Sequence, residues 1–105
     1  MNVNKISKLE AAYIAGLFDG EGSLFKQPSG RLVFTVTQGD YGKNVLNYLK
    51  DVFGVGTVGI HRKAIGNWQA VWRYRIQSTE LATQVILSIY PYLKIKNRRV
   101  DEVLK

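Results

Sequence analysis

The periodicities of this chain predict an α+β fold in the order αββαββα, closed by one more short helix. A mainly antiparallel four-stranded sheet should carry its helices on one face and leave the other bare. Three observations carry that expectation. Two pairs of alternating segments, each joined by a turn signal, follow helical stretches instead of interleaving with them strand by strand. Apolar residues make up 46% of the 105 residues, enough for one core, and residues 1–105 contain no linker or low-complexity segment. The eight carboxylates, Glu10, Asp19, Glu21, Asp40, Asp51, Glu80, Asp101 and Glu102, all avoid residues 22–39 and 52–79, the stretches that read as strands. One sheet surface should therefore be acid-free and positive.

The first helix is expected over 7–20. Ser7 can cap it, Glu10 stands where a capping box needs an acid, and Leu9, Tyr13 and Leu17 recur at helical spacing. A second stripe, Ala12, Gly16 and Gly20, holds three small residues four apart. Glycine inside a helix costs roughly 1 kcal/mol relative to alanine. A second backbone pressed on the stripe would offset that; a frayed or buried helix end with incidental glycines is the alternative.

Ser23–Gln27 and Arg31–Gln38 flank the turn Pro28-Ser29-Gly30 and form the first hairpin. Leu32, Phe34 and Val36 alternate with Arg31, Val33, Thr35 and Thr37, so one face is core and the other mainly polar. A helix over about 42–53 follows, with Val45, Leu49, Val52 and Phe53 inward and Gly54 ending it. The second hairpin takes Val55–Lys63 and Gln69–Gln77 around a turn at 64–67. Ala70, Trp72, Tyr74 and Ile76 make its apolar face, and Val71, Arg73, Arg75 and Gln77 the opposite one. Ser78 caps a third helix over 79–90, with Leu81, Val85 and Ile89 inward and Pro91 closing it. A last helix begins near Asn97.

Composition narrows the function. The longest apolar run is far short of the ~20 residues that span a bilayer, so no membrane association is expected. Residues 1–8 are short and polar and do not read as a secretory leader. The chain has no cysteine, which removes disulfides and thiolate metal sites and fits an intracellular protein. Fifteen Lys and Arg give a net charge of +7, which suits a polyanion, because neutralising phosphates releases condensed counterions. A solvated basic surface is the bland alternative.

The strongest short pattern is Ile14-Ala15-Gly16-Leu17-Phe18-Asp19-Gly20-Glu21-Gly22, which closes a helix and opens a strand. It resembles the LAGLIDADG motif of homing endonucleases: Ala15, Gly16, Leu17, Asp19 and Gly22 match outright, and Glu21 keeps the acid. Phe34-Thr35-Val36-Thr37-Gln38, Phe53-Gly54-Val55-Gly56 and Pro91-Tyr92-Leu93-Lys94-Ile95-Lys96 extend the resemblance, specifically to the single-motif, homodimeric branch. It implies a single LAGLIDADG endonuclease domain with a saddle-shaped sheet.

The resemblance further implies a site-specific double-strand DNA endonuclease that works as a homodimer. Two copies would meet through Ala12, Gly16 and Gly20, bringing both Glu21 side chains beneath the DNA. Glu21 and the carbonyl of Gly20 would hold Mg²⁺ or Mn²⁺, hard ions that prefer oxygen. A plain helix-end carboxylate is the competing reading of Glu21. Gln38, in phase with Leu32, Phe34 and Val36, and Lys96 would complete the catalytic set with Glu21, while Asp19 would be structural. Some relatives carry an arginine four residues after the glutamine, where this chain has Gly42; Lys43 is the candidate substitute.

By alternation and resemblance, the DNA-reading side chains are Ser23, Gln27, Arg31, Val33, Thr35, Thr37, Thr57, His61, Lys63, Arg73, Arg75 and Gln77. Arginine suits guanine, glutamine adenine, and threonine methyls thymine. His61, the only histidine, is in phase with Thr57 and Gly59 and so belongs to this face instead of acting as a base. The implied partner is a long pseudo-palindromic duplex cut across the minor groove. Intron RNA would be the partner of a maturase, and a repressor would bind DNA without cutting it. The expected setting is a chloroplast or mitochondrion, or a bacterial or phage-infected cytoplasm.

Overall fold

A computed structural model describes residues 2–105. Helix α1 (Lys8–Glu21) starts at a full capping box: the Glu10 N–H donates to Ser7 Oγ and the Ser7 N–H to Glu10 Oε1. Strands β1 (Gly22–Lys26) and β2 (Leu32–Gly39) follow, then a short 3-10 turn at Asp40–Gly42 and helix α2 (Lys43–Phe53). Gly54 ends α2 at φ +74°, in the left-handed region. Strands β3 (Thr57–Arg62) and β4 (Val71–Ile76), helix α3 (Thr79–Ile89) and helix α4 (Asn97–Leu104) complete the chain. The fold is α+β in the expected order.

The antiparallel sheet has the order β1-β2-β4-β3. The hairpins therefore join through their second strands, and α2 crosses between them. Register sorts the side chains into rows. Leu24, Phe34 and Ile76 form one row, and Gly22, Val36, Tyr74 and Val58 another, both on the helix side. Ser23, Thr35, Arg75 and Thr57 form a row across all four strands on the opposite side, followed by Thr37, Arg73 and Gly59.

The helices cover the first set of rows. Leu46, Leu49 and Phe53 of α2, Val85, Ile86 and Ile89 of α3, and Val100 of α4 are wholly enclosed against the sheet. Each such side chain contributes about 1.5–3 kcal/mol through burial. In α1 the enclosed face is Ala11, Ile14, Ala15 and Phe18, with the Phe18 ring stacked 5.1 Å from that of Phe34. Leu9 and Tyr13 point the other way, 85% and 54% exposed. The stripe they start at helical spacing is thus an outer flank of α1 and not its core face.

Among the described residues, no helix is long and apolar enough to cross a membrane.

Candidate active site and nucleic-acid interface

The end of α1 organises the site. At Gly22 the chain leaves the helix for β1, and its N–H closes the last helical bond on the Phe18 carbonyl. A side chain at Gly22 would run into the Phe18 ring, so this position of the motif tolerates only glycine. Four residues past Gly20 lies Leu24, already in β1, so the Gly20 carbonyl has no N–H in helical register. Glu21 is exposed at this same, electronegative end of the helix.

Asp19 faces inward, only 8% exposed. Its carboxylate accepts hydrogen bonds from the backbone N–H groups of Lys94, Ile95 and Lys96, at 2.7, 3.2 and 2.9 Å. Burial raises its pKa, but the three N–H donors and the Lys96 ammonium outweigh that, leaving it below the ordinary carboxylate value. Asp19 is thus structural, as the motif implied. It ties the loop after α3 to the end of α1.

That tie delivers Lys96. Its Nζ donates to the Gly22 carbonyl and stands 5.6 Å from the centre of the Phe18 ring, half-buried beside the helix end. Lys94 and Ile95, on the same loop, are exposed. Of the two lysines, only Lys96 is brought to Glu21's end of the helix.

Gln38 occupies the core-side row with Trp72 and Ile60, one strand period past Val36, the partner of Gly22. It is half-buried, and its side chain lies directly over the Cα of Gly42. A Cβ at Gly42 would stand 2.6 Å from Gln38 Cβ. The space that a side chain at Gly42 would need is thus filled by the side chain of Gln38. Gly42→Ala should displace Gln38 and lower stability by about 1–3 kcal/mol, measured by denaturant unfolding; unchanged stability and activity would show that the glutamine moves freely.

Sequence reading did not find the group beside Gln38. Trp72 Nε1 donates to Asp40 Oδ1 at 2.7 Å, and the Lys43 ammonium sits 4.1 Å above the same indole. Lys43 is therefore held over Trp72 near the end of β2. The alternation of β4 assigned Trp72 simply to the apolar face, and nothing local in sequence links it to Asp40.

The sheet's open face carries the residues expected to read DNA. Ser23, Thr35, Arg75 and Thr57 lie in one row, and Thr37 and Arg73 in the next. Arg31 and Gln77 are exposed and line one open cleft with Ser29 and Ser78, while Gln27 is half-buried at the first turn. Burial, and then the nearby Arg75 charge, lower the pKa of Arg73, which remains a cation at neutral pH.

Two expectations need correction. Val33 and Thr35 are on the open face by register, but they are 0% and 6% exposed. Short side chains on a central strand, they lie between longer neighbours: Phe25 stands opposite Val33, and Arg75 opposite Thr35. They support that surface and do not form it. The pairing at His61, which stays exposed, departs from simple alternation. A bulge between Ile60 and Arg62 makes Arg62, and not His61, the partner of Val71. Arg62 thereby joins the phase of Arg73 and Arg75, His61 becomes the extra residue, and Lys63 lies exposed beyond the strand's end.

The Glu21 carboxylate and the Gly20 carbonyl both offer oxygen, the ligand type a hard divalent cation prefers. Among the described residues, there is no cluster of three or more His, Cys, Asp or Glu that could hold a metal ion.

The outer flank of α1 can admit a second backbone. Ala12, Gly16 and Gly20 are exposed, and a Cβ built at Gly16 or Gly20 meets nothing within 4 Å.

Comparison with known proteins agrees with this geometry. A family model described as a LAGLIDADG-like domain matches residues 8–89. No curated protein sequence matches the chain. Among solved structures, the homing endonuclease I-CvuI, in complex with a DNA target in the presence of Mg, superposes with a TM-score of 0.73 at 20% identity. That match covers 92% of this chain and 64% of I-CvuI. The group I intron-encoded homing endonuclease I-CeuI, complexed with DNA, gives 0.65 at 24% identity over 96% of this chain and 53% of that one. I-SmaMI, bound to an uncleaved DNA target in the presence of calcium ions, gives 0.59 at 29% identity, covering 84% and 32%. The chain thus spans less than two thirds of the length of these structures.

Proposed function

The chain belongs to the LAGLIDADG homing endonuclease family, and from that premise we propose that it is a site-specific, metal-dependent DNA endonuclease acting as a homodimer. The observation that carries this reading is the convergence at one helix end: an exposed glutamate, a lysine held on the carbonyl of the next residue, Gly22, and a sheet whose opposite face is free of acid.

Two copies meeting along Ala12, Gly16 and Gly20 would bury the exposed Leu9 and Tyr13 as well and bring both Glu21 carboxylates to the two-fold axis. Glu21 and the Gly20 carbonyl would hold a magnesium or manganese ion against the scissile phosphate. Once bound, such an ion neutralises charge on the phosphate and makes water a better nucleophile. Lys96 holds a positive charge where negative charge develops on the phosphorus oxygens. The Gln38 amide orients water, with Gly42 leaving room for it. Thr37, Thr57, Arg73 and Arg75 present hydroxyls, methyls and guanidinium groups to base edges and phosphates in the major groove.

The test is cleavage of a randomised plasmid library in Mg²⁺, against the same reaction in EDTA. Linear products with a common sequence, formed only with metal, are expected. Selective binding without cutting in any divalent metal would point to the repressor reading, and selective RNA binding to a maturase. The dimer has its own test: Gly16→Leu should halve the mass measured by light scattering. A dimer that persists in this variant would move the interface elsewhere.

A further inference from the structure

The second hairpin ends in a feature that neither the core nor the sheet face uses. Ile65 and Trp68 pair across a tight turn, each donating its N–H to the other's carbonyl, at 3.2 and 2.9 Å, around Gly66 at φ +58°. The tip is therefore preformed and loses little freedom on binding. Both side chains remain 69% exposed, whereas Trp72 is half-buried and tied to Asp40. The Arg62 guanidinium stands 5.5 Å from the Trp68 ring, and Arg62, Lys63, Ile65 and Trp68 line one open cleft.

We propose that this tip is a separate DNA contact, in which Trp68 packs its indole against the sugar–base wall of the duplex beside the sequence read by the sheet. The inference rests on the reading that the sheet face binds DNA. Charge selects the partner. No carboxylate lies between residues 52 and 79, so nothing in this hairpin neutralises Arg62 and Lys63. An apolar protein pocket taking up Trp68 would desolvate both cations without return, whereas a duplex offers phosphates to them and a flat apolar surface to the indole. The bulge fits this role, because it turns Arg62 into the phase of Arg73 and Arg75 and so carries the cationic face out to the tip.

The experiment titrates a long mixed-sequence duplex into the full chain at low salt, following anisotropy of labelled DNA and tryptophan emission. Trp68→Ala should weaken binding about tenfold while leaving the salt dependence unchanged, because it removes an aromatic contact and no charge. Trp68→Phe, which keeps a ring, should recover most of the affinity. The emission difference between the parent and Trp68→Ala, which isolates Trp68, should change when DNA is added.

Binding by Trp68→Ala as tight as the parent's, with that difference unmoved by DNA, would overturn the proposal. If Arg73→Ala and Arg75→Ala weaken binding in the same assay, the sheet reading would survive that result. A parent that binds no duplex would remove both readings.

Discussion

Glu21→Gln should leave folding and DNA binding as in the parent and slow cleavage by about a thousandfold, the scale for removing one group that acts on transition-state charge. The substitution is nearly isosteric and the side chain is exposed, so stability should stay within about 0.5 kcal/mol. It removes the negative charge that would hold a divalent cation at the end of α1. Neighbouring oxygens cannot replace it: Asp19, the nearest other acid in sequence, has its carboxylate engaged by three N–H groups. Cleavage rates on the selected target, beside melting curves of both proteins, separate the chemical effect from a structural one. Cutting at the parental rate would remove Glu21 from the mechanism and the metal site with it.

Asp19→Ala should do the reverse, damaging the fold and the site together. The carboxylate accepts from three successive N–H groups, and its loss leaves that loop without partners at the end of α1. An unsatisfied donor costs about 1–3 kcal/mol when fully buried, and these three are only part-buried, so a total loss of about 2–3 kcal/mol is expected, a large share of a small domain's stability. The same loop carries Lys96, so cleavage should fall even where the variant remains folded. Asp19→Asn, which keeps one oxygen acceptor, should lie between the two. Urea unfolding at neutral pH measures the first effect. A loss below about 1 kcal/mol would mean that water replaces the carboxylate easily.

The same residue sets an acid dependence. The folded pKa of Asp19 lies below the ordinary value, so its stabilisation is complete above the unfolded pKa, near 4. It starts to fall as pH drops through that value and is gone only below the still lower folded pKa. The parent should therefore lose more stability between neutral and strongly acid pH than Asp19→Ala does. Equal acid losses in the two proteins would assign the effect to other carboxylates.

Much of this molecule is determined by short-range chemistry, and the sequence discloses that part by itself. The capping box at Ser7 and Glu10, the hairpin turns, the glycine ending α2 and the order αββαββα all follow from residues within a few positions of one another. So does the segregation of carboxylates from the strands, because alternation assigns faces two residues at a time. The nine-residue motif, with its echoes, names the family because its glycines and acids answer local demands at a helix end.

Tertiary structure decided what depends on partners distant in sequence. The core face of α1 proved to be Ala11, Ile14, Ala15 and Phe18, the side chains enclosed by the sheet and the other helices, whereas Leu9 and Tyr13 stay mostly exposed, Tyr13 meeting only the edge of the Tyr48 ring at 6.0 Å. Asp19 and Lys96 are 77 positions apart, and only the packed loop shows why the acid holds the lysine in place. Trp72 meets Asp40 across the sheet, and Val33 is buried by its neighbours on the face that alternation had exposed. The bulge exchanged Arg62 for His61 in the strand register. With His61, Arg62 and Lys63 all polar and adjacent, no change of hydrophobicity marks where the ladder slips, so the pairing with β4 alone settles which side chain faces outward.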